Sequence, residues 1–440
     1  MRSSMPIDWN VIPEPSTVGE ELVELMRELF QLPRSLTGSG VRDTLAVLAR
    51  DVSLELVETP SGTPVFDWTV PREWNLRGAW VDSPNGDRVL DAANSPLHVL
   101  GYSTPVDAVM SLEELRRHVF THSEDPDLVP YRTSYWVEQW GICMSRRLLE
   151  SLADGDYHVV IDTTLEDGSL TSGEVTIPGA SDAEFLLSTY VCHPALANDN
   201  LSGIVVLWAL ARALADQRLE HTFRLLWSPG TLGPLCWLYR NRERLDRVHH
   251  GLVLSCVGDP GPLRYKRSRR GDAPIDRAAT YVVGREPGAI VGDWQPSGGD
   301  ERQFCSPGFN LPVGTLSRTP HGLFPEYHSS ADDLSLVTPE DLAGSFRAAL
   351  MIVDLIETNT SYRNLSPYGE PQLGRRGLYQ SVPDGTNPEA AYLWLLNLSD
   401  GDNDLLAIAE RSGLPFETIR AAARTLEQHL LIERSESPQT

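Results

Sequence analysis

The residues best suited to chemistry in this sequence are two imidazoles and a few carboxylates, each placed just past an apolar, strand-like run. His193 and Asp199 follow Phe185–Val191, and Asp259 follows Gly251–Gly258. The stretch Gly298-Gly299-Asp300-Glu301-Arg302 precedes Phe304, while His321 and Glu326-Tyr327-His328 follow Leu311–Ser317. In an open α/β sheet, polar residues at strand ends line the ligand crevice. Two histidines and two carboxylates gathered on one such edge would suit zinc, which takes imidazole nitrogen and carboxylate oxygen and keeps a position for water in catalytic sites. No two of these clusters are neighbours in sequence. Spacing alone therefore leaves a second reading open, in which His193 is a hydrogen-bonded structural histidine, Asp199 a helix cap, and the rest dispersed caps and ion pairs.

The elements that must position these residues read as follows. Glu20–Leu32 and Thr37–Arg50 have apolar residues at helical spacing. From Val57 to Trp140 short apolar runs are broken by Pro60-Ser61-Gly62, Pro71, Pro84-Asn85-Gly86-Asp87 and Thr104-Pro105, the texture of a small β-rich module with a hairpin at Asn85-Gly86. Leu112–His118 is a helix within it. Strands at Tyr157–Asp162 and Glu174–Ile177 follow, with a turn at Asp167-Gly168. Strands and helices then alternate: strand Phe185–Val191, helix Ser202–Asp216, strand Thr222–Ser228, helix Leu235–Leu245, strands Gly251–Gly258, Ala279–Gly284 and Leu311–Ser317, and helix Pro339–Glu357. After a Pro/Gly-rich linker, helices Glu389–Leu398, Leu405–Arg411 and Phe416–Leu430 and the run Ile432-Glu433-Arg434 predict a winged helix-turn-helix.

Composition narrows the function classes. The chain has 440 residues, 41% of them hydrophobic and 22% charged, and a net charge of −24. That balance argues against a polyanion binder, which needs a basic face to neutralise phosphates. Lys266 is the only lysine among the 37 basic residues, a skew that itself points to no function. Five cysteines (Cys143, Cys192, Cys236, Cys256, Cys305), widely spread and without a CxxC pair, argue against a disulfide framework or a structural zinc knuckle. Met1–Pro6 carries no apolar signal core and no run is long enough to span a bilayer, so a cytoplasmic protein is expected.

Longer stretches carry a resemblance. They are Arg34-Ser35-Leu36-Thr37-Gly38, Pro60-Ser61-Gly62-Thr63 with Phe66-Asp67-Trp68-Thr69-Val70-Pro71, Tyr102-Ser103-Thr104-Pro105-Val106, and Pro130-Tyr131 with Thr133-Ser134-Tyr135. To these add the stretch from Ser188 to Gly203, Gly299-Asp300-Glu301-Arg302-Gln303-Phe304-Cys305-Ser306-Pro307-Gly308, and Pro325-Glu326-Tyr327-His328-Ser329-Ser330. Over nearly its whole length the chain resembles bacterial aminopeptidase-like proteins related to the co-catalytic zinc exopeptidases. The resemblance implies a zinc-exopeptidase-like three-layer α/β domain (14–56 and 156–365), an inserted β-rich module (57–155) and a C-terminal winged-helix domain (378–440). It makes His193 the first zinc-binding histidine, Asp199 the carboxylate that bridges metals, His328 the distal histidine and Asp259 the ligand after the middle strand, with Cys256 or Ser255 as alternatives there. One or two zinc ions are implied, with metal-assisted amide hydrolysis as the reaction.

One departure bears on that chemistry. Relatives that look active read Pro-Glu-Thr after the strand Thr222–Ser228, and this chain reads Pro229-Gly230-Thr231. If that Glu is a general base, its loss removes a factor of roughly 10²–10⁴ in rate; if it is a zinc ligand, one metal position is lost. Glu301 or Asp300 could replace it, or could be structural instead, and Tyr327 could donate to an oxyanion. The expected function is a zinc-dependent hydrolase acting on an amide bond of a small molecule or short peptide conjugate; the alternative is a degenerate, peptidase-like binding or scaffold protein. In the tail, Glu417, Glu427, Glu433 and Glu436 offset Arg420 and Arg424, so a structural or protein-contact role is expected and DNA binding is not. Further partners reduce to other copies of the chain, with no membrane.

Overall fold

A computed structural model describes residues 7–378 and 388–435. The expectations placed on Met1–Pro6 and Glu436, and on 379–387 and 436–440 within the winged-helix range, lie outside the described residues. The chain divides into two compact units, one of residues 7–352 and one beginning at Val353. Among the described residues no helix is long and apolar enough to cross a membrane, and the five cysteines are free and buried.

The first unit is built on an eight-stranded mixed sheet. Its order is Glu55–Pro60, Ser169–Ile177, Thr222–Ser228, Glu184–Tyr190, Val248–Leu254, Val313–Ser317, Arg264–Lys266 and Ile290–Gly292. The middle four strands are parallel to one another. Glu184–Tyr190 is buried at every position, as a parallel strand covered on both faces must be. Alternation along Thr222–Ser228 shows what covers them. Leu226 joins a core with Leu232, Leu235, Trp237 and Phe304, whereas its neighbour Trp227 points to the opposite face and donates Nε1–H to the Ile204 carbonyl at 3.1 Å in the helix Ser202–Ala215. Helices therefore lie on both faces of the sheet, which is the three-layer arrangement expected.

The inserted module is a four-stranded antiparallel sheet ordered Arg88–Asp91, Glu73–Asp82, Asp156–Glu166, Val106–Ser111. Its Ser83–Asp87 turn has Gly86 at φ +84°, donating to the Ser83 carbonyl at 2.9 Å. Two assignments shift. Asp156–Glu166, expected in the α/β domain, is an inner strand of the module, with Tyr157, Val159 and Ile161 packed on Trp74, Ala79 and Val81. Val57, expected in the module, lies in the edge strand of the large sheet. A third expectation is overturned: Ala279–Gly284 is not a strand but the end of the helix Pro274–Val283. Thr280, Val282 and Val283 favour strands by propensity, yet Ile275, Ala278, Ala279 and Val282 share one buried face at helical spacing, and Pro274 opens the first turn.

In the second unit Asp400–Asp404, Ser361–Asn364 and Ile432–Arg434 form a three-stranded antiparallel sheet. Helices Glu389–Leu398, Leu405–Ser412 and Phe416–Gln428 enclose Ala391, Leu395, Ile408, Phe416, Ile419 and Leu426. Asp404 caps the second helix by accepting from the Ala407 N–H, and Gly413 at φ +72° ends it. Ser361–Asn364, expected to close the α/β domain, supplies a strand here instead.

Candidate metal centre

The site starts at the end of the central strand Glu184–Tyr190, three residues before His193. The His193 backbone is pinned by Arg34, a buried guanidinium whose Nε donates to the His193 carbonyl at 2.8 Å and whose Nη1 donates to the Leu29 carbonyl at 2.5 Å. The next loop is fixed from below. Asp332, fully buried, accepts from the N–H groups of Asn198 at 2.6 Å and Asp199 at 2.9 Å, and its own carbonyl accepts from Ala197 N–H. The Asn200 side chain donates to Thr189 and accepts from Cys256 N–H. Asp199 is thereby presented on a loop whose backbone is committed at each step.

Asp199 Oδ1 accepts from the Tyr190 hydroxyl, which leaves Oδ2 facing two imidazoles. Nε2 of His328 lies 3.0 Å from Oδ2 and Nε2 of His193 lies 4.0 Å away. Both Asp199 Oδ2 and His328 Nε2 are buried without a hydrogen-bond partner. Donor atoms of His193, Asp199 and His328 all fall within 4.8 Å of one another, a group that could hold a metal ion. Ligands about 2.0–2.2 Å from a tetrahedral zinc stand roughly 3.3 Å apart, between the two spacings observed. Two imidazoles and one carboxylate are also the donor types zinc prefers, so these residues fit the ion and leave a position for water. Burial raises the Asp199 carboxyl, but His193, His328 and the Tyr190 hydroxyl outweigh it and hold the group at about 2. Burial, partly opposed by Asp199, holds His193 at about 4. A carboxylate beside a neutral imidazole is the protonation state a metal requires.

The aromatic walls come from two directions. The Tyr131 ring, from the inserted module, lies 5.0 Å from the rings of both His193 and His328. Tyr327 stacks on His328 at 3.9 Å. Burial pushes the Tyr327 hydroxyl well above its usual range, so it remains a donor.

Two expected residues are engaged in other contacts. Asp259 is not with the other three: Oδ1 accepts from Thr319 Oγ1 at 2.6 Å and Gly261 N–H at 2.8 Å, Oδ2 from Thr319 N–H at 3.0 Å and Asn198 Nδ2 at 2.9 Å. Four donors occupy its two oxygens, and its place in the fold is to hold Asn198 beside Asp199. Glu301 is buried and ion-paired with Lys266, the sole lysine. Cys256 Sγ lies 3.7 Å from the Tyr190 hydroxyl, and burial raises its thiol well above the usual range. Asp300 accepts Thr231 N–H on Oδ1 at 2.7 Å, with Oδ2 buried and unpartnered. Sequence reasoning missed Asp332, Tyr190 and Tyr131. Tyr131 and Tyr190 lie in stretches that carry the resemblance, but nothing local marks Asp332, whose role arises only through a loop more than a hundred residues away.

Residues 23–359 match a family described as a domain of unknown function, DUF4910, and residues 360–434 match a winged helix-turn-helix family. A protein of Clostridium acetobutylicum, provisionally named a polysaccharide biosynthesis protein with aminopeptidase-like domain, is 45% identical over 421 residues, 94% of this chain and 96% of its own length. A crystal structure of a provisionally named peptidase from Clostridium acetobutylicum matches with a TM-score of 0.93 at 44% identity, over 97% of this chain and 99% of that one. More distantly, a zinc aminopeptidase from Bacillus subtilis shares the fold with a TM-score of 0.54 at 13% identity, over 78% of this chain and 95% of that one. The large mixed sheet with its flanking helices is the fold of zinc aminopeptidases, and the second unit is a winged helix.

Proposed function

The chain belongs to the DUF4910 family, and from that premise we propose that it is a zinc-dependent aminopeptidase-like hydrolase cleaving an amide bond in a small molecule or short peptide conjugate. One observation carries the reading: Asp199 Oδ2 and His328 Nε2 are buried, unpartnered and 3.0 Å apart, with His193 Nε2 across from them. Burying a polar atom without a hydrogen bond costs about 1–3 kcal/mol, a cost that a bound cation would reduce here.

His193, Asp199 and His328 would hold the ion. When bound, zinc supplies Lewis acidity toward a carbonyl and lowers the pKa of a water. The chain's own groups do the rest. Tyr190 orients the Asp199 carboxylate, Asp332 and Arg34 fix the backbone on which Asp199 and His193 stand, and Tyr131 keeps water from one flank of both rings. Tyr327, protonated and stacked on His328, is the donor assigned to the developing oxyanion.

Metal analysis of gently purified protein, with turnover of an aminoacyl-amide panel, tests the reading. Bound zinc, together with loss of both metal and turnover in His193→Ala, is expected; protein without metal whose properties are indifferent to His193→Ala overturns it. Gly230, which offers no acid where active-looking relatives carry one, favours a second reading as a degenerate binding protein. Hydrolysis that appears only in Gly230→Glu would select that one.

A further inference from the structure

Among the described residues, three buried carboxylate oxygens have no hydrogen-bond partner: Asp199 Oδ2, Asp300 Oδ2 and Glu301 Oε2. The first belongs to the metal trio. Glu301 is engaged through its other oxygen by Lys266. Asp300, 4% exposed, differs from both, because its carboxyl accepts one backbone N–H, that of Thr231, and faces no ion-pair partner within salt-bridge reach.

Its position is informative. A Cβ placed on Gly230 would lie 3.8 Å from Asp300 Oδ1, 3.4 Å from Cys192 Sγ and 3.5 Å from Tyr190 Cβ. Cys192 Sγ in turn lies 3.2 Å from His193 Nδ1, and the Tyr190 hydroxyl holds Asp199. The ground above Gly230 is thus walled by Asp300 on one side and by residues carrying the metal trio on the other. Those distances are ordinary contacts, and Gly230 does not occupy the left-handed region. Neither packing nor backbone conformation demands glycine there, and a side chain at that position would stand between Asp300 and the residues that carry the trio.

We propose that Asp300 is the proton acceptor of this cleft, taking the proton of the attacking water that no side chain at position 230 can take. The inference rests on the hydrolase reading above and adds its base. The water O–H bond breaks, its proton passes to Asp300 Oδ2, and the water oxygen bonds the amide carbonyl carbon. The C–N bond then breaks as the same proton is delivered to the leaving nitrogen. One carboxylic acid and one amine result, and nothing is oxidised or reduced. The surroundings suit the task. Burial, with the charge of Glu301, raises the carboxyl to about 7 against the opposing pull of Thr231 N–H and Arg302. The Cys192 thiol is the other titratable group facing it, and burial keeps that thiol protonated, at about 12. A base poised near neutral pH is the efficient one.

The test uses the full-length, zinc-loaded chain and its Asp300→Asn, Gly230→Glu and doubly substituted forms, assayed on aminoacyl p-nitroanilides, with zinc content measured on every sample. Asp300→Asn is expected to keep its zinc, lose about 10²–10⁴ in kcat and lose the acid limb of the pH profile. Adding Gly230→Glu to Asp300→Asn is expected to restore turnover at least about tenfold, since it returns a carboxylate to the same ground. Independently of turnover, infrared titration of the metal-free protein is expected to show protonated-carboxyl absorbance that disappears near pH 7 and whose amplitude falls in Asp300→Asn, the remainder being that of Asp332, which burial also raises to about 7. Full turnover by zinc-loaded Asp300→Asn, or a titrating band of undiminished amplitude in that variant, overturns the proposal alone. A zinc-loaded wild type inactive on the whole panel overturns the hydrolase reading and this proposal with it.

Discussion

Removing His328 from the trio should abolish the stabilisation of this protein by zinc. An ion that binds only the folded state contributes about 2.7 kcal/mol at a free concentration one hundred times its Kd. The unit that would bind it comprises residues 7–352. At roughly 2.1 cal/mol/K per residue, a unit of about 350 residues unfolds with an entropy near 0.7 kcal/mol/K. Zinc should therefore raise the melting temperature of the chelator-stripped protein by about 4 °C at that excess. His328→Ala leaves one imidazole and one carboxylate, too few to grip the ion, and its shift should fall below about 1 °C by the same arithmetic. Differential scanning calorimetry across a zinc series reads both proteins directly. An equal shift in wild type and His328→Ala, or none in wild type up to millimolar zinc, would refute the reasoning from the trio.

Other expectations follow from neighbouring groups. Asp332→Ala removes the acceptor for the backbone of Asn198 and Asp199, so zinc affinity measured against a chromogenic chelator should fall by about 10–100-fold. Asp300, raised from 3.8 to about 7, binds its proton more tightly when folded. Its contribution to stability is complete below the unfolded value and is lost as pH rises through about 7. Relative to wild type, Asp300→Asn should therefore gain about 2–3 kcal/mol between pH 5 and pH 8 in urea unfolding. The winged-helix unit should show no salt-dependent binding to duplex DNA at low ionic strength, and a fluorescence-anisotropy isotherm that weakens steeply with salt would contradict this.

The elements of the fold were legible where patterning was strong. Thr222–Ser228 and Glu389–Leu398 have the bounds read from sequence, because apolar or amphipathic runs closed by Pro229 and by Ser399-Asp400-Gly401 leave little choice, and the short strand Ile432–Arg434 also falls where it was read. Misreadings arose where local propensity opposed tertiary packing, as in Pro274–Val283, or where a strand's partner was far away in sequence, as for Asp156–Glu166 and Ser361–Asn364. Site residues divided in the same way. His193, Asp199 and His328 could be nominated from strand ends, and the fold brings them together. Asp259 looked equally eligible, since sequence does not reveal that Thr319, Gly261 and Asn198 occupy its oxygens. Residue type gave Asp300 and Glu301 the same standing; a single contact from Lys266 separates them.

Tyr131 flanks both imidazoles, and its N–H donates to the His328 carbonyl at 2.8 Å, while Ser330 and Val129 exchange hydrogen bonds beside it. The inserted module is therefore sewn into the loop that carries a putting-together residue of the centre, His328. An insertion of this kind cannot be exchanged or trimmed as a free accessory, because the ring and the peptide that seat the distal imidazole would leave with it. A chimera that grafts a foreign module onto this sheet inherits the burden of rebuilding the seat of His328.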